Sequence, residues 1–368
     1  EAKKRKELWE RTDIIFSTPQ CIANDIKNNL YNLEEISLLI EDEAHRCVKN
    51  YSYTFVAKKY IEQSVNQRIL GMTASPGTTK DGINLICKNL SIEGVEIRTR
   101  DSKDVKEYLQ ELNFKIVKLN FPPSLEEIRI LLKNIYNDKI HDLKEKNLLY
   151  GPANKITLLE CQKRIMRSLA TGSKNWNLFR GVSSCTQAIK ISHALELIET
   201  QTIYGLKKYL DNQMDQAEKN KTKSVKQMVS NPNFTRAYYL TNELIKNNIE
   251  HPKIEELKKI LNEKINLNPK AKIIIFSQYR DSVSKIAKEL NTITGVSAKI
   301  FVGQAKKSNL DSGLSQKEQK GLIEDFSNGK FNVLCATSIG EEGLDIPEVN
   351  AVIFYEPVPS AIRKIQRA

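Results

Sequence analysis

Two adjacent carboxylates and a histidine, Asp42-Glu43-Ala44-His45, stand one residue behind the apolar run at residues 37–40 (SLLI). Nucleotide hydrolysis needs a carboxylate near Mg²⁺ and a second group that orients or deprotonates the attacking water. Neighbouring residues leaving a strand point in different directions, so Asp42 and Glu43 are free to take separate roles. An acidic pair after a strand is also a common charged turn, and the tetrapeptide alone leaves both readings open. Thr73-Ala74-Ser75-Pro76-Gly77 closes the next apolar run. Small hydroxyl side chains at such a point relay movement through hydrogen bonds without filling a cleft, although the same residues make an ordinary turn. Ser17-Thr18-Pro19-Gln20 offers hydroxyls and amides suited to phosphates, and equally an N-cap followed by proline at the first helical position.

The second half of the chain adds Phe276-Ser277-Gln278-Tyr279-Arg280 and the run at 336–347, ATSIGEEGLDIP. Two glycines, several hydroxyls and a closing acid fall in one segment. A glycine-rich loop lets backbone amides approach phosphates, and Asp345 suits a ribose hydroxyl. A bland connection rarely needs so many special residues.

These groups need elements that present them from one edge. Residues 13–17 (DIIFS), 37–40 and 69–73 (ILGMT) are short apolar runs, each ending in polar or small residues. Apolarity without alternation predicts strands buried on both faces of a parallel sheet, with working residues beyond their carboxyl ends. From 125 to 249 the spacing changes to three and four residues, as in LEEIRILLKNIYNDKIHDLK, which predicts amphipathic helices. Strand-like runs return at 272–276, 299–302, 332–336 and 351–355, with helices over 281–290 and 316–326, the latter opened by a capping box of Ser315 and Glu318. Residues 215–227 (DQAEKNKTKSVKQ) read as a mobile loop or an exposed helix. The predicted fold is α/β: two parallel-sheet domains, at 1–122 and 251–368, separated by an all-helical insertion at 123–250.

Composition narrows the partners. The 368 residues carry a net charge of +12, and residues 125–253 hold 21 Lys and Arg against 13 Asp and Glu, an excess of 8. Two thirds of the surplus thus falls in about a third of the chain, which favours a polyanion-binding surface over uniform bias. Lys219, Lys221, Lys223 and Lys226 form one cluster. The six cysteines make no CxxC pair and the four histidines are scattered, against a zinc site and in favour of a reducing, cytoplasmic compartment. No apolar run approaches the roughly 18 residues that span a bilayer, and no membrane partner is expected.

Taken in order, these segments resemble the superfamily-2 helicase series: STPQ is similar to motif Ib, DEAH to motif II, TAS to motif III, FSQYR to motif IV, ATSIGEEGLDIP to motif V, and Gln366-Arg367 to the start of motif VI. Longer stretches, among them LIEDEAHRCVKNYSYTFVAKKY and EEGLDIPEVNAVIFYEPVPSAIRKIQR, resemble the archaeal Hef family, relatives of the Fanconi anaemia group M helicase. The RNA-sensor helicases and Dicer share the helical insertion, but their motif II is typically DECH. The resemblance implies two RecA-like domains, the first lacking its front part. ATP and Mg²⁺ are the implied cofactors. Asp42 would position Mg²⁺ and Glu43 act as base, while His45, Thr73 and Ser75 couple hydrolysis to motion. Thr18, Ser277, Gln278 and Thr337 would track the nucleic-acid backbone. Gly343 and Asp345, with Gln366 and Arg367, would face the nucleotide.

No G-x-x-x-x-G-K-[ST] occurs in the sequence; the nearest imitation, GPANKIT at 151–157, has the wrong spacing. The family's phosphate loop lies before motif Ib and its arginine fingers lie beyond Arg367. These 368 residues alone are therefore expected to be inactive, and residues 1–122 alone to be unfolded or aggregating. The implied activity is an ATP-driven helicase or translocase on forked or branched DNA in replication-fork repair, with a nuclease and a helix-hairpin-helix module in the parent chain. The alternatives are a double-stranded-RNA-dependent ATPase and a non-catalytic nucleic-acid-binding module.

Overall fold

The computed structural model describes residues 2–77, 79–99, 102–106, 113–172, 175–219, 222–304, 313–337 and 348–357. They fall into two units, 1–115 and 116–357.

The first unit opens with α1 (Ala2–Arg11) and α2 (Pro19–Lys27). Arg5 grips Asp25 through two hydrogen bonds of 2.7 Å, and Trp9 stacks on Tyr31 at 3.8 Å. β1 (Leu39–Asp42) leads through a 3-10 turn (Ala44–Arg46) and α3 (Ser52–Gln63) into β2 (Ile69–Met72), followed by α4 (Lys80–Leu90) and the short α5 (Lys103–Lys106). β1 and β2 pair in parallel, Leu39 opposite Ile69 and Asp42 opposite Met72. One face of this pair is covered by Ala44, Cys47, Ala57 and Leu90. The other leaves Ile40, Leu70 and Met72 exposed. The expectation of strands buried on both faces therefore fails here. Residues 13–17 also depart from expectation: they are irregular, and Phe16 is 95% exposed. An isolated extended segment has no ladder to hold it, and among the described residues β1 and β2 pair only with each other.

The second unit begins with six helices, α6 (Pro123–Glu145), α7 (Lys155–Ala170), α8 (Trp176–Thr200), α9 (Ile203–Glu218), α10 (Lys223–Val229) and α11 (Pro232–Lys246). Their main core joins Leu125, Ile128 and Leu132 of α6 to Ile191 and Ala194 of α8 and Phe234 of α11. Gly181, inside the 25-residue α8, lets the tip of the Leu148 side chain lie where a Cβ would otherwise stand. The GPANKIT segment is the entry to α7: Asn154 caps it in a reciprocal box with Thr157. Of residues 215–227, 215–218 end α9 and 223–227 open α10.

Beyond the bundle come α12 (Pro252–Leu267), β3 (Ile273–Phe276), α13 (Arg280–Leu290), β4 (Ala298–Phe301), α14 (Gln316–Ser327), β5 (Val333–Ala336) and β6 (Ala351–Phe354). The four strands are parallel in the order β4-β5-β3-β6. β3 and β5 are buried at every residue, as their unbroken apolarity predicts. α12 and α13 cover one face, while Phe301, Phe326, Phe331 and Leu334 fill the other. The Ser315–Glu318 capping box forms as expected.

Bundle and sheet share a polar junction. Ser277 Oγ, at the end of β3, donates to Gln201 Oε1 (3.3 Å), and Tyr279 Oη donates to Glu196 Oε1 of α8 (3.2 Å). Lys253 Nζ donates to the Thr200 carbonyl (3.0 Å).

Candidate active site

The DEAH segment sits at the carboxyl end of β1, beside the end of β2, because a parallel sheet brings equivalent ends of its strands together. Glu43 adopts a left-handed backbone, φ 54° and ψ 44°. For a residue other than glycine this costs about 1 kcal/mol, and it breaks the strand's alternation. Local bonds hold it: Glu43 N donates to Asp42 Oδ1 (2.9 Å), and Arg46 N donates to the Glu43 carbonyl (2.9 Å). Tyr53 Oη donates to the Asp42 carbonyl at 2.6 Å. Asp42 thus faces solvent from the strand end while Glu43 turns towards His45.

His45 links the two loops. Its Nδ1 lies 2.9 Å from Thr73 Oγ1 and 3.1 Å from Glu43 Oε2. Only the Thr73 contact is a hydrogen bond; the Glu43 one is a close charge contact, and Glu43 Oε2 is buried without a hydrogen-bond partner among the described residues. Burial holds the imidazole below its ordinary pKa, while the Glu43 carboxylate pulls the other way. Thr73 Oγ1 also accepts from Ser75 N at 3.1 Å, and the buried Ser75 hydroxyl has no partner among the described residues. Glu43, His45, Thr73 and Ser75 therefore form one connected set.

The acidic groups suit Mg²⁺ as far as one chain can. Asp42 offers a hard oxygen in the open, and no cluster of three or more His, Cys, Asp or Glu among the described residues could hold a metal alone. One carboxylate completed by phosphate oxygens and water is a usual Mg²⁺ ligand set.

The remaining sequence-predicted residues are placed separately. Thr18 is exposed at the entry to α2 and its side chain makes no capping bond. Gln278 is exposed, its backbone N–H donating to Glu356 Oε1. Ser277 is buried and committed to Gln201; Thr337 is buried too, its N–H donating to the Phe301 carbonyl (3.1 Å). Lys219, Lys223 and Lys226 are exposed around the α9–α10 connection. Gly343, Asp345, Gln366, Arg367 and Lys221 lie outside the described residues.

Sequence reasoning passed over Glu41, one residue before the pair. Its carboxyl is buried beside the Cys47 thiol, without a hydrogen-bond partner among the described residues, and burial pushes its pKa up to about 8. A charged residue at an inward-facing strand position was the available signal.

A strand-end acidic pair coupled to a neighbouring hydroxyl loop, a helical insertion and a second parallel sheet together define a superfamily-2 helicase motor. Residues 252–368 match the family described as helicase conserved C-terminal domain, residues 124–249 the helical bundle of a putative ATP-dependent RNA helicase, and residues 1–78 the res subunit of type III restriction enzymes. The crystal structure of the Pyrococcus furiosus Hef helicase domain superposes with a TM-score of 0.70 at 39% identity, covering all of this chain and 75% of that one. A putative ATP-dependent RNA helicase of Methanocaldococcus jannaschii is 39% identical over 99% of this chain and 45% of its own length. An ATP-dependent DNA helicase of Neurospora crassa, mph1, is 31% identical over 99% of this chain and 32% of its own. The chain belongs to the Hef family of superfamily-2 helicases, and it spans less than half the length of these two relatives.

Proposed function

We propose that the chain is the motor region of an ATP-dependent DNA helicase or translocase that acts on forked or branched DNA in replication-fork repair, inside the cell. The observation that carries the ATPase reading is the His45 ring, set between the Glu43 carboxylate and the Thr73 hydroxyl. Asp42 would hold Mg²⁺, which supplies charge neutralisation at the phosphates when bound. Glu43 accepts the proton of the attacking water. Protonation of Glu43 removes its charge from beside the imidazole, and the His45–Thr73 bond carries that change to the loop at 73–77. Gly343, Asp345, Gln366 and Arg367 are assigned to the nucleotide, and Thr18, Gln278 and Thr337 to the nucleic-acid backbone. Ser277 is assigned there only if its bond to Gln201 opens. The three regions 1–122, 123–250 and 251–368 serve as the first motor domain, the nucleic-acid-binding insertion and the second motor domain. A nuclease and a helix-hairpin-helix module belong to the proposed parent chain.

In the complete motor, Glu43→Gln is expected to keep ATP binding while turnover falls about 10²- to 10⁴-fold, the usual worth of a positioned proton acceptor. Hydrolysis near the parental rate would remove Glu43 from the role. Neutralising Lys219, Lys221, Lys223 and Lys226 together is expected to weaken DNA binding and flatten its dependence on salt, because phosphate contacts release counterions. An unchanged slope would make the cluster a solvated surface.

One observation favours a second reading, a double-stranded-RNA-dependent ATPase: the helical-bundle family and the M. jannaschii relative are both described as RNA helicases. Against it stand the DEAH motif and the relatives described as DNA helicases. ATPase stimulation by forked DNA against an RNA duplex of equal length decides between them.

A further inference from the structure

The helical insertion carries an apolar surface that the cluster of Lys219, Lys221, Lys223 and Lys226 does not account for. α7 and α8 run antiparallel, tied by Gln162 Nε2 donating to Thr186 Oγ1 (2.9 Å). This brings Met166 and Val182 together on a shallow cavity lined also by Gln162, Lys163 and Arg167. Trp176, Phe179 and Val182 follow one another at three-residue spacing along α8 and share a face. Trp176 is 73% exposed, and Phe179 and Met166 are each 53% exposed. Two aromatic rings and a thioether held open to water on a structured helix pair mark an interaction site.

Charge says what covers it. Lys163, Arg167 and Arg180 are exposed and in no ion pair with another described residue. Arg180 stands one turn after Trp176, and α7 carries Lys155, Lys163, Arg164 and Arg167 against the single acid Glu160. The occupant must present flat apolar faces and anionic groups at short intervals. An unpaired nucleotide strand does both: its bases stack on aromatic rings and its phosphates meet the cations. A continuous duplex hides its base faces. We propose that Trp176 and Phe179, with Lys163, Arg167 and Arg180, form a stacking site for unpaired nucleotides of a single-stranded arm. This rests on the nucleic-acid motor reading and adds which part of the substrate the insertion grips.

The test uses the full chain, its W176F, W176A and F179A variants, an oligo(dT) strand and a blunt DNA duplex. The difference in emission between parent and W176F isolates Trp176. Oligo(dT) is expected to quench that component, whereas the duplex leaves it unchanged. W176A and F179A are each expected to lose about tenfold in oligo(dT) affinity, the scale of one lost base stack, while duplex affinity and circular dichroism stay at parental values. Oligo(dT) binding with unquenched Trp176, or with parental affinity in both variants, overturns the proposal and leaves the patch to a protein partner. If the parent binds neither nucleic acid, the motor reading itself fails.

Discussion

The described residues form two parallel sheets of similar apolarity and opposite exposure. β3 and β5 are buried at every position between two layers. β1 and β2 are covered on one face only and show Ile40, Leu70 and Met72 to solvent on the other. In the second sheet the sequence and its surroundings agree. In the first, the sequence asks for cover that the described residues do not supply, while the residues assigned to hydrolysis hang from that half-covered pair. Apolar runs therefore report the burial a strand is built for, which differs from the burial a given stretch of chain delivers.

The largest expected effect breaks the comparison at the level of whole units. Residues 1–115 alone are expected to show no cooperative urea transition, whereas residues 116–357 unfold cooperatively. Each exposed Leu or Ile in the first sheet forgoes about 1.5–3 kcal/mol of burial, against a domain total of about 5–15 kcal/mol. A cooperative, native-like transition for the first piece would show that two strands with one covered face suffice.

Single side chains sharpen it. Ile275→Ala, in the middle of β3, is expected to cost about 2–5 kcal/mol through lost contacts and a residual cavity. Ile40→Ala, on the open face of β1, is expected to change stability by less than about 0.5 kcal/mol. Equal costs in denaturant titrations would mean that the open face is covered in solution.

The smallest expected effect is in pH, where the two units run in opposite directions. Burial raises Glu41 to about 8, so the folded first unit holds a proton that the unfolded chain releases above the ordinary carboxyl range. Its contribution is full at low pH and is lost as pH rises through about 8. Glu41→Gln removes this dependence and is expected to stabilise the first unit at pH 8 relative to the parent. In the second unit, burial lowers His251 to about 4. Its contribution is full above the ordinary imidazole value and is lost as pH falls towards 4. Hydrogen exchange followed separately in β1–β2 and β3–β5 between pH 5 and 8 reads both slopes. Parallel slopes would sink the assignment to these two groups.

The α/β–helical–α/β order was legible because strand and helix periods differ and each segment is long enough to show its own. The positions of Asp42, Glu43, His45 and Thr73 at strand ends were legible for the same reason. Three features were not. The left-handed turn at Glu43 leaves no mark in composition, since a glutamate there is disfavoured. Ser277 read as a motif residue that would track the nucleic-acid backbone, but its partner Gln201 lies far away in sequence and only the fold brings them together. Residues 13–17 carried a strand's composition without a neighbour to pair with, and pairing is a property of the sheet, not of the segment.

The junction at the end of α8 has a mechanical consequence. Gln201, Glu196 and the Thr200 carbonyl fasten that end to Ser277, Tyr279 and Lys253. The other end carries Trp176, and 25 residues of helix separate the two. At 1.5 Å per residue the helix is a rod of roughly 37 Å. Turning the second sheet by roughly 5° swings the far tip by about 3 Å, close to the ~3.4 Å rise of one nucleotide along a strand. With a base stacked on Trp176 as proposed, a rotation too small to disturb the packing at the fixed end of α8 would amount to one base step at its free end.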